Sequence, residues 1–467
     1  MCILIRKLDI NRSAKEGELE LMTDNRVPVY SYANPHLHSF CLCLYLRAGS
    51  LFESDDENGI SHFFEHMVFK NINRKYGGKL FELLDRLGLE FNGCTYKEFM
   101  QFEITGACVH FKEAAEILTS IFEPFTLPAE DIATERRRIK SELRESDELH
   151  SLDHFTQQIV WEGTSLKNTI GGTFSNLDHM GKQALRRAGE KLLSVNNLFF
   201  YVTGCYSEED IAFLMDCIDS YPLRETVPVR NNLAPVPDAF FRRNCRVAVK
   251  NSTYYYVRFS FDVDTERYTE AENSLLYDIM FEGESCKIHQ ELSEKTGMIY
   301  SFGSQYERYN NLGNLSVYYE VRPGDFYTSM ERVIRVCRTM KYGLTDELDY
   351  VLPPYVDNAE LMLDDADDFN WNRAYECHIL EEPYRTVEDR KEAYQKVTVQ
   401  RIMEMSGEIF RTSNLVVTMK APKGKVDEDR IRLICSRLDE PSGCPGEAEC
   451  ISAAVSGQSG SEQTGSS

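Results

Sequence analysis

The stretch His62-Phe63-Phe64-Glu65-His66 decides how this chain is read. On a helix, positions i and i+4 are neighbours on one face, so His62 and His66 present two imidazoles to a common point. Glu65, three residues after His62 and one before His66, lies within reach of a water bound there. Asn58-Gly59-Ile60-Ser61 supplies turn residues and a helix N-cap just ahead of the motif. Phe63, Phe64, Met67 and Val68 are apolar, which predicts a buried helix. Histidines on a buried helix need polar partners, and one metal ion satisfies both. Zinc in catalytic sites takes three protein ligands and leaves a position open, so a third ligand is expected elsewhere.

Downstream, Glu135-Arg136-Arg137-Arg138-Ile139-Lys140-Ser141-Glu142 carries two glutamates seven residues apart, which stack on one helical face across two turns. The order His-x-x-Glu-His, the reverse of His-Glu-x-x-His, marks the inverted zinc peptidases. With the downstream glutamates, the chain resembles the pitrilysin/insulinase-type zinc metallopeptidases. Within them it is similar to the half-length subunits that include the mitochondrial processing peptidase and its bacterial relatives. The resemblance implies zinc on His62, His66 and Glu142, Glu65 as general base, and Glu135 as a catalytic carboxylate that orients a histidine. Ala48-Gly49-Ser50 and His66-Met67-Val68-Phe69-Lys70 resemble the family's Ala-Gly-Ser and His-Met-x-Phe-Lys. Phe91-Asn92-Gly93-Cys94-Thr95 resembles its Asn-Ala-x-Thr strand, with Gly93 in place of alanine. In the family an extended peptide pairs with that edge strand, which makes Asn92, Gly93 and Cys94 candidate substrate-binding residues. Gly93 is expected to make the strand more flexible. Ile170-Gly171-Gly172-Thr173 resembles the family's glycine turn, and Val202-Thr203-Gly204 the end of a domain-closing strand.

The 467 residues are too many for one ordinary core and fit two large domains. Hydrophobic content of 42% and charged content of 27% are those of a soluble globular protein, and no apolar run is long enough to cross a bilayer. Met1-Cys2-Ile3-Leu4-Ile5-Arg6-Lys7 lacks a following apolar region, and Asp9, Glu16 and Glu18 argue against a transit peptide, so a cytoplasmic location is expected. The fourteen cysteines are then expected reduced, with Cys41 and Cys43 on one face of a strand as core thiols. No Cys-x-x-Cys pair signals a second metal site. A net charge of −23 makes nucleic acid an unexpected partner. It fits either ordinary solubility or an acidic chamber for basic or extended peptides.

Residues 39 to 47 alternate in strand fashion, Phe102 to His110 reads as a second strand, and 111 to 123 as a helix. Val227 to Pro237 is proline-rich and aperiodic, the best linker candidate. Beyond it the order recurs: strand Tyr254 to Val263, helix Glu284 to Glu294, strand Leu315 to Val321, helix Met330 to Met340. The reading is an α+β chain of two structurally similar domains, each a sheet packed with helices. The boundaries are 1–226 for the zinc-binding domain, 227–240 for the linker, 241–440 for the second domain and 441–467 for a disordered tail.

The second half holds Leu292-Ser293-Glu294-Lys295-Thr296-Gly297-Met298-Ile299-Tyr300 where the family often has Leu-Arg-Glu-Lys-x-Gly-x-x-Tyr. In the family the arginine and tyrosine come from the opposing half-enzyme and bind the substrate. Tyr300 is therefore a candidate catalytic residue, while Ser293 stands where arginine is expected. This predicts a heterodimer in which a paralogous partner supplies the arginine, with a homodimer as the alternative. The expected activity is zinc-dependent hydrolysis of peptides or unfolded segments. The competing readings are a non-catalytic assembly subunit and a dedicated leader-peptide processing peptidase.

Overall fold

The computed structural model describes residues 18–147, 150–226, 233–343, 346–384 and 386–441. The N-terminal stretch, the first part of the expected linker (227–232) and the expected tail beyond Pro441 lie outside the described residues.

Strands β1 (Glu18–Met22), β2 (Pro28–Ala33), β3 (Ser39–Leu46), β4 (Glu90–Thr95), β5 (Met100–Ala107) and β6 (Leu198–Gly204) form one sheet in the order β1-β2-β6-β3-β5-β4. β2 runs parallel to β6 and the other pairings are antiparallel. The expected second strand ends at Ala107, because Cys108–His110 tightens into a turn that leads into the next helix. Central β3 is buried on both faces. Phe40, Leu42, Leu44 and Leu46 share a core with Phe64, Val68 and Ile72 of helix α1 (Ile60–Lys75). Helix α2 (Leu80–Leu87) leads from α1 to β4, and α3 (Phe111–Thr119) adds Ala115 and Leu118 to the same core. After α3 come α4 (Ala129–Glu145), α5 (Leu152–Val160), α6 (Phe174–His179), α7 (Lys182–Leu192) and α8 (Glu208–Asp219). Each fully buried Leu or Phe contributes about 1.5–3 kcal/mol, so this alternating strand anchors its half.

The second half repeats the plan. Strands β7 (Arg246–Asn251), β8 (Tyr255–Val263), β9 (Phe302–Arg308), β10 (Gly313–Val321) and β11 (Leu415–Ala421) pair in the order β7-β11-β8-β10-β9. β7 and β11 are parallel, as β2 and β6 are, so the two sheets correspond strand for strand apart from β1. This is the expected pair of similar α+β domains. The counterpart of α1 is α9 (Glu270–Phe281), which carries no paired histidines. The helix expected at 284–294 follows it as a short Lys287–His289 turn and a wider Gln290–Glu294 turn, in the place α2 holds in the first half.

Each half covers the free face of the other's sheet. Helix Ala366–Arg373 and the following turn, from the second half, lie on the first sheet, where Ala366, Ala374 and Ile379 join Cys41, Cys43, Tyr45 and Tyr201. Asn370 is the polar pin of that contact. Its amide nitrogen donates to the carbonyls of Tyr201 at 3.0 Å and Cys41 at 3.3 Å, and its oxygen accepts from the Tyr45 hydroxyl at 2.9 Å. In return α5 lies on the second sheet: the Thr156 and Thr418 hydroxyls share a hydrogen bond of 2.6 Å, and Trp161 donates to Glu307 at 2.9 Å. Ala234, within the expected linker, is buried beside Trp161 and Tyr309. The exchange predicts that Asn370→Leu, which removes these hydrogen bonds and leaves the buried Tyr45 hydroxyl without its acceptor, lowers stability by about 2–4 kcal/mol. A urea midpoint that stays at the wild-type value would contradict the pinning role.

Candidate metal centre

Helix α1 begins at Ile60 with Gly59 as its N-cap, in the left-handed conformation at φ 98° and without a side-chain cap of its own. The cap comes from upstream. The Glu53 carboxylate accepts from the backbone N–H groups of Gly59 at 2.7 Å and Ser61 at 2.8 Å, placing negative charge on the positive end of the helix. Sequence reasoning had assigned the start to the Asn58–Ser61 turn and passed over Glu53. The Gly171-Gly172 turn packs directly on this start: a Cβ on Gly172 would lie 2.2 Å from the Asn58 carbonyl oxygen. Asn58 fastens it by donating to the Thr169 carbonyl at 2.8 Å.

The expected pairing on α1 is present, with the His62 and His66 rings 4.8 Å apart and nearly perpendicular. α4 lies against α1 and brings Glu135 and Glu142 to the histidines. The Glu142 oxygens stand 3.6 Å from His62 Nε2 and 3.7 Å from His66 Nε2. Nitrogen and oxygen ligands about 2.0–2.2 Å from a shared tetrahedral ion lie about 3.3–3.5 Å apart, so the three groups span such an ion with little adjustment. The donor set of two imidazoles and a carboxylate suits zinc, and Glu142, 53% exposed, forms the open side. Burial, with His66 adding to it, pushes the His62 imidazole down to about 4, which keeps its ring neutral as a ligand must be.

Behind the ligands, Glu135 is only 1% exposed and hydrogen-bonds His66 Nδ1 at 3.1 Å. Lys70 at 3.1 Å and Arg138 at 3.3 Å flank it. Burial works to raise this carboxyl, but the His66 and Lys70 hydrogen bonds and the charge of Arg138 hold it below the usual range. Glu135 touches His66 and no open space, a place that fits orienting the histidine and not the catalytic contact with substrate expected of it. The bond from His66 Nδ1 turns Nε2 toward Glu142. Among the described residues His62 Nδ1 has no such partner.

Glu65, 8% exposed, accepts a 2.6 Å hydrogen bond from the Thr95 hydroxyl. Burial raises its carboxyl, Thr95 and His66 oppose that, and Glu142 reinforces it. Thr95 is the functional residue that sequence reasoning missed. It was visible as the last residue of the Asn-x-x-Thr stretch, but only strand pleating shows its side chain turning toward α1. β4 is an edge strand that pairs only with β5 among the described residues. Asn92 and Cys94 are exposed on the face away from Glu65, while Gly93 and Thr95 face α1. The space that a side chain at Gly93 would take is already occupied. The Phe69 ring fills the place of a side chain, 2.8 Å from where a Cβ would stand, and Gly93 sits in register opposite Phe102. Tyr300 is 98% exposed and makes no hydrogen bond or ring contact with the described residues. Among the described residues no contact joins it to His62 or His66.

Residues 29–174 match the model of the insulinase family of peptidases, M16, and residues 179–348 match the model described as the peptidase M16 inactive domain. The chain belongs to the M16 peptidase family. Its sequence is 21% identical over 409 residues to the uncharacterized zinc protease YmxG of Bacillus subtilis, covering 86% of this chain and 98% of that one. It is also 26% identical over 191 residues to a probable mitochondrial-processing peptidase subunit beta of Arabidopsis thaliana, covering 40% of this chain and 36% of that one. The crystal structure of a peptidase M16 inactive domain from Pseudomonas fluorescens superposes with a TM-score of 0.76 at 17% identity, covering 87% of this chain and 98% of that one. This M16 chain carries its donor set within the first of the two matched regions, which includes His62, His66, Glu142 and Thr95. Replacing Glu135 by Gln is expected to weaken zinc binding about 10–100-fold while leaving the fold intact. Titration against a competing chelator measures this, and unchanged affinity would remove Glu135 from the orienting role.

Proposed function

We propose that this M16 chain is a zinc-dependent endopeptidase subunit that cleaves extended peptides or unfolded segments. The observation that carries the reading is the convergence of His62, His66 and Glu142 beside a buried Glu65 held by Thr95. His62, His66 and Glu142 would hold the ion, whose chemistry when bound is Lewis-acid polarisation of a scissile carbonyl and activation of water. Glu65 accepts the proton of the attacking water at its carboxylate and delivers it to the leaving amine. Thr95 donates to Glu65 Oε2, which fixes the carboxylate's rotation and leaves its other oxygen for the proton. An extended peptide adds to the outer edge of β4, where Asn92, Gly93 and Cys94 offer backbone groups, and such a strand runs past Thr95 toward Glu65. The net charge of −23 favours basic segments as substrates.

Glu65→Gln is expected to keep zinc and lose hydrolysis of a quenched peptide library, by a factor of about a hundred or more. Turnover that survives the substitution would eliminate Glu65 as the base. Thr95→Val removes a hydrogen bond to a charged group and is expected to lower kcat about 10–100-fold with zinc retained.

The partner reading rests on Ser293 and on Tyr300, whose full exposure fits a group used across a subunit interface. Without an arginine the developing oxyanion lacks a donor, a loss of roughly a hundredfold or more in rate. Ser293→Arg is accordingly expected to raise the activity of the chain assayed alone, whereas a wild-type homodimer already at full activity would refute the need for a paralogue. Zinc-loaded protein inert both alone and with a paralogue would favour the non-catalytic assembly role. That role also draws support from the match of the second half to an inactive-domain model.

A further inference from the structure

A second group of metal-ligating side chains lies on the face of the first sheet opposite α1. Cys41 and Cys43 alternate in phase on β3, so both thiols point to the same face, and both are fully buried. The register places Glu103 of β5 directly across from Cys43. Asp367 comes from the other half of the chain, at the start of helix Ala366–Arg373. Cys43 Sγ lies 3.9 Å from Glu103 Oε2, and Cys41 Sγ lies 3.8 Å from Asp367 Oδ1. The two sulfurs and a Glu103 oxygen are all within 4.8 Å of one another.

We propose that Cys41, Cys43, Glu103 and Asp367 form a second divalent-metal site, of zinc type, that clamps the two halves of the chain together. Sulfur ligands about 2.3 Å and oxygen ligands about 2.0–2.2 Å from a shared tetrahedral ion stand about 3.5–3.8 Å apart, so the 3.8 and 3.9 Å sulfur–oxygen pairs already fit and the rest of the cluster, within 4.8 Å, closes by a modest side-chain movement. Two thiolates select zinc over magnesium or calcium, and Glu103 with the exposed Asp367 would complete a four-ligand set.

Among the described residues neither Glu103 nor Asp367 has an ion pair, and the other charges near Asp367 are Asp365 and Asp368. Burial and the neighbouring Asp367 push Glu103 up to about 7, and burial likewise raises Asp367. The Cys41 thiol is raised by its hydrogen bond to Cys43 and by burial. On metal entry the two thiol protons leave to solvent as the sulfur–metal bonds form. Gln101, which donates to Glu103, orients that carboxylate. Glu103 is only partly buried, and its cross-strand neighbour Asn92 is exposed, so the sheet edge provides an entry path.

The test is cobalt loading of the full chain, read by absorbance and by metal content. Thiolate ligands give a sulfur-to-cobalt charge-transfer band that two histidines and a glutamate cannot produce. The band is expected in the wild type and in His62→Ala/His66→Ala. It is expected to vanish in Cys41→Ser/Cys43→Ser, together with about one metal equivalent per chain. Should the serine pair fail to fold, Glu103→Gln/Asp367→Asn keeps size and is expected to weaken cobalt binding at the band about tenfold or more. Absence of the band in the wild type, its survival in the serine pair, or unchanged affinity in the amide pair would overturn the proposal. The cluster would then be a proton-sharing carboxyl pair under core thiols.

Discussion

The buried carboxylate of Glu135 is the contact on which the metal centre depends. It sits between two helices and is held at once by His66, Lys70 and Arg138, so α4 has one rotation and one height relative to α1. Glu142, two turns further along α4, can meet both imidazoles only because Glu135 has set that height. A carboxylate this deeply buried is stable only when fully partnered, which makes the helix pair rigid where a ligand set must be precise. Glu53 does comparable work at the other end, fixing where α1 starts and hence which residues of it face α4.

The exchange of helices between the halves explains why neither sheet is left with an exposed apolar face. β3 and β8 are buried on both sides, with residues of the opposite half packed on the face away from each half's own helices. The contact is built from polar pins within apolar cover, Asn370 on one side and Thr156 with Thr418 on the other. Polar pins of this sort specify register, because a shift by one residue would strand several buried groups at once. The same junction carries the thiol and carboxylate cluster, whose four members come from β3, β5 and the exchanged helix.

Duplication preserved the scaffold and not the chemistry. The second sheet repeats the strand order of the first, yet α9, in the position of α1, offers Glu270, Ala271, Glu272 and Asn273 in its first turn and no histidine pair. The first half carries the donor set, while the second contributes the face-covering helix and presents Tyr300 outward. This division agrees with a family match that runs through both halves but is described as inactive for the second.

The sequence by itself determined what depends on local geometry. The grip of His62 and His66 follows from helical spacing, the shared face of Glu135 and Glu142 from two turns of one helix, and the two-sheet plan from alternation and its recurrence. Each of these is a statement about residues a few positions apart. Tertiary structure alone decided the rest. That Thr95 holds Glu65, that Glu53 caps α1, that Phe69 occupies the space Gly93 leaves, and that Asp367 meets Cys41 are contacts between segments brought together by strand register and by helices crossing from one half to the other. Many chain paths share the same local patterns, and only packing of the whole chain, which must bury both faces of each sheet, selects among them.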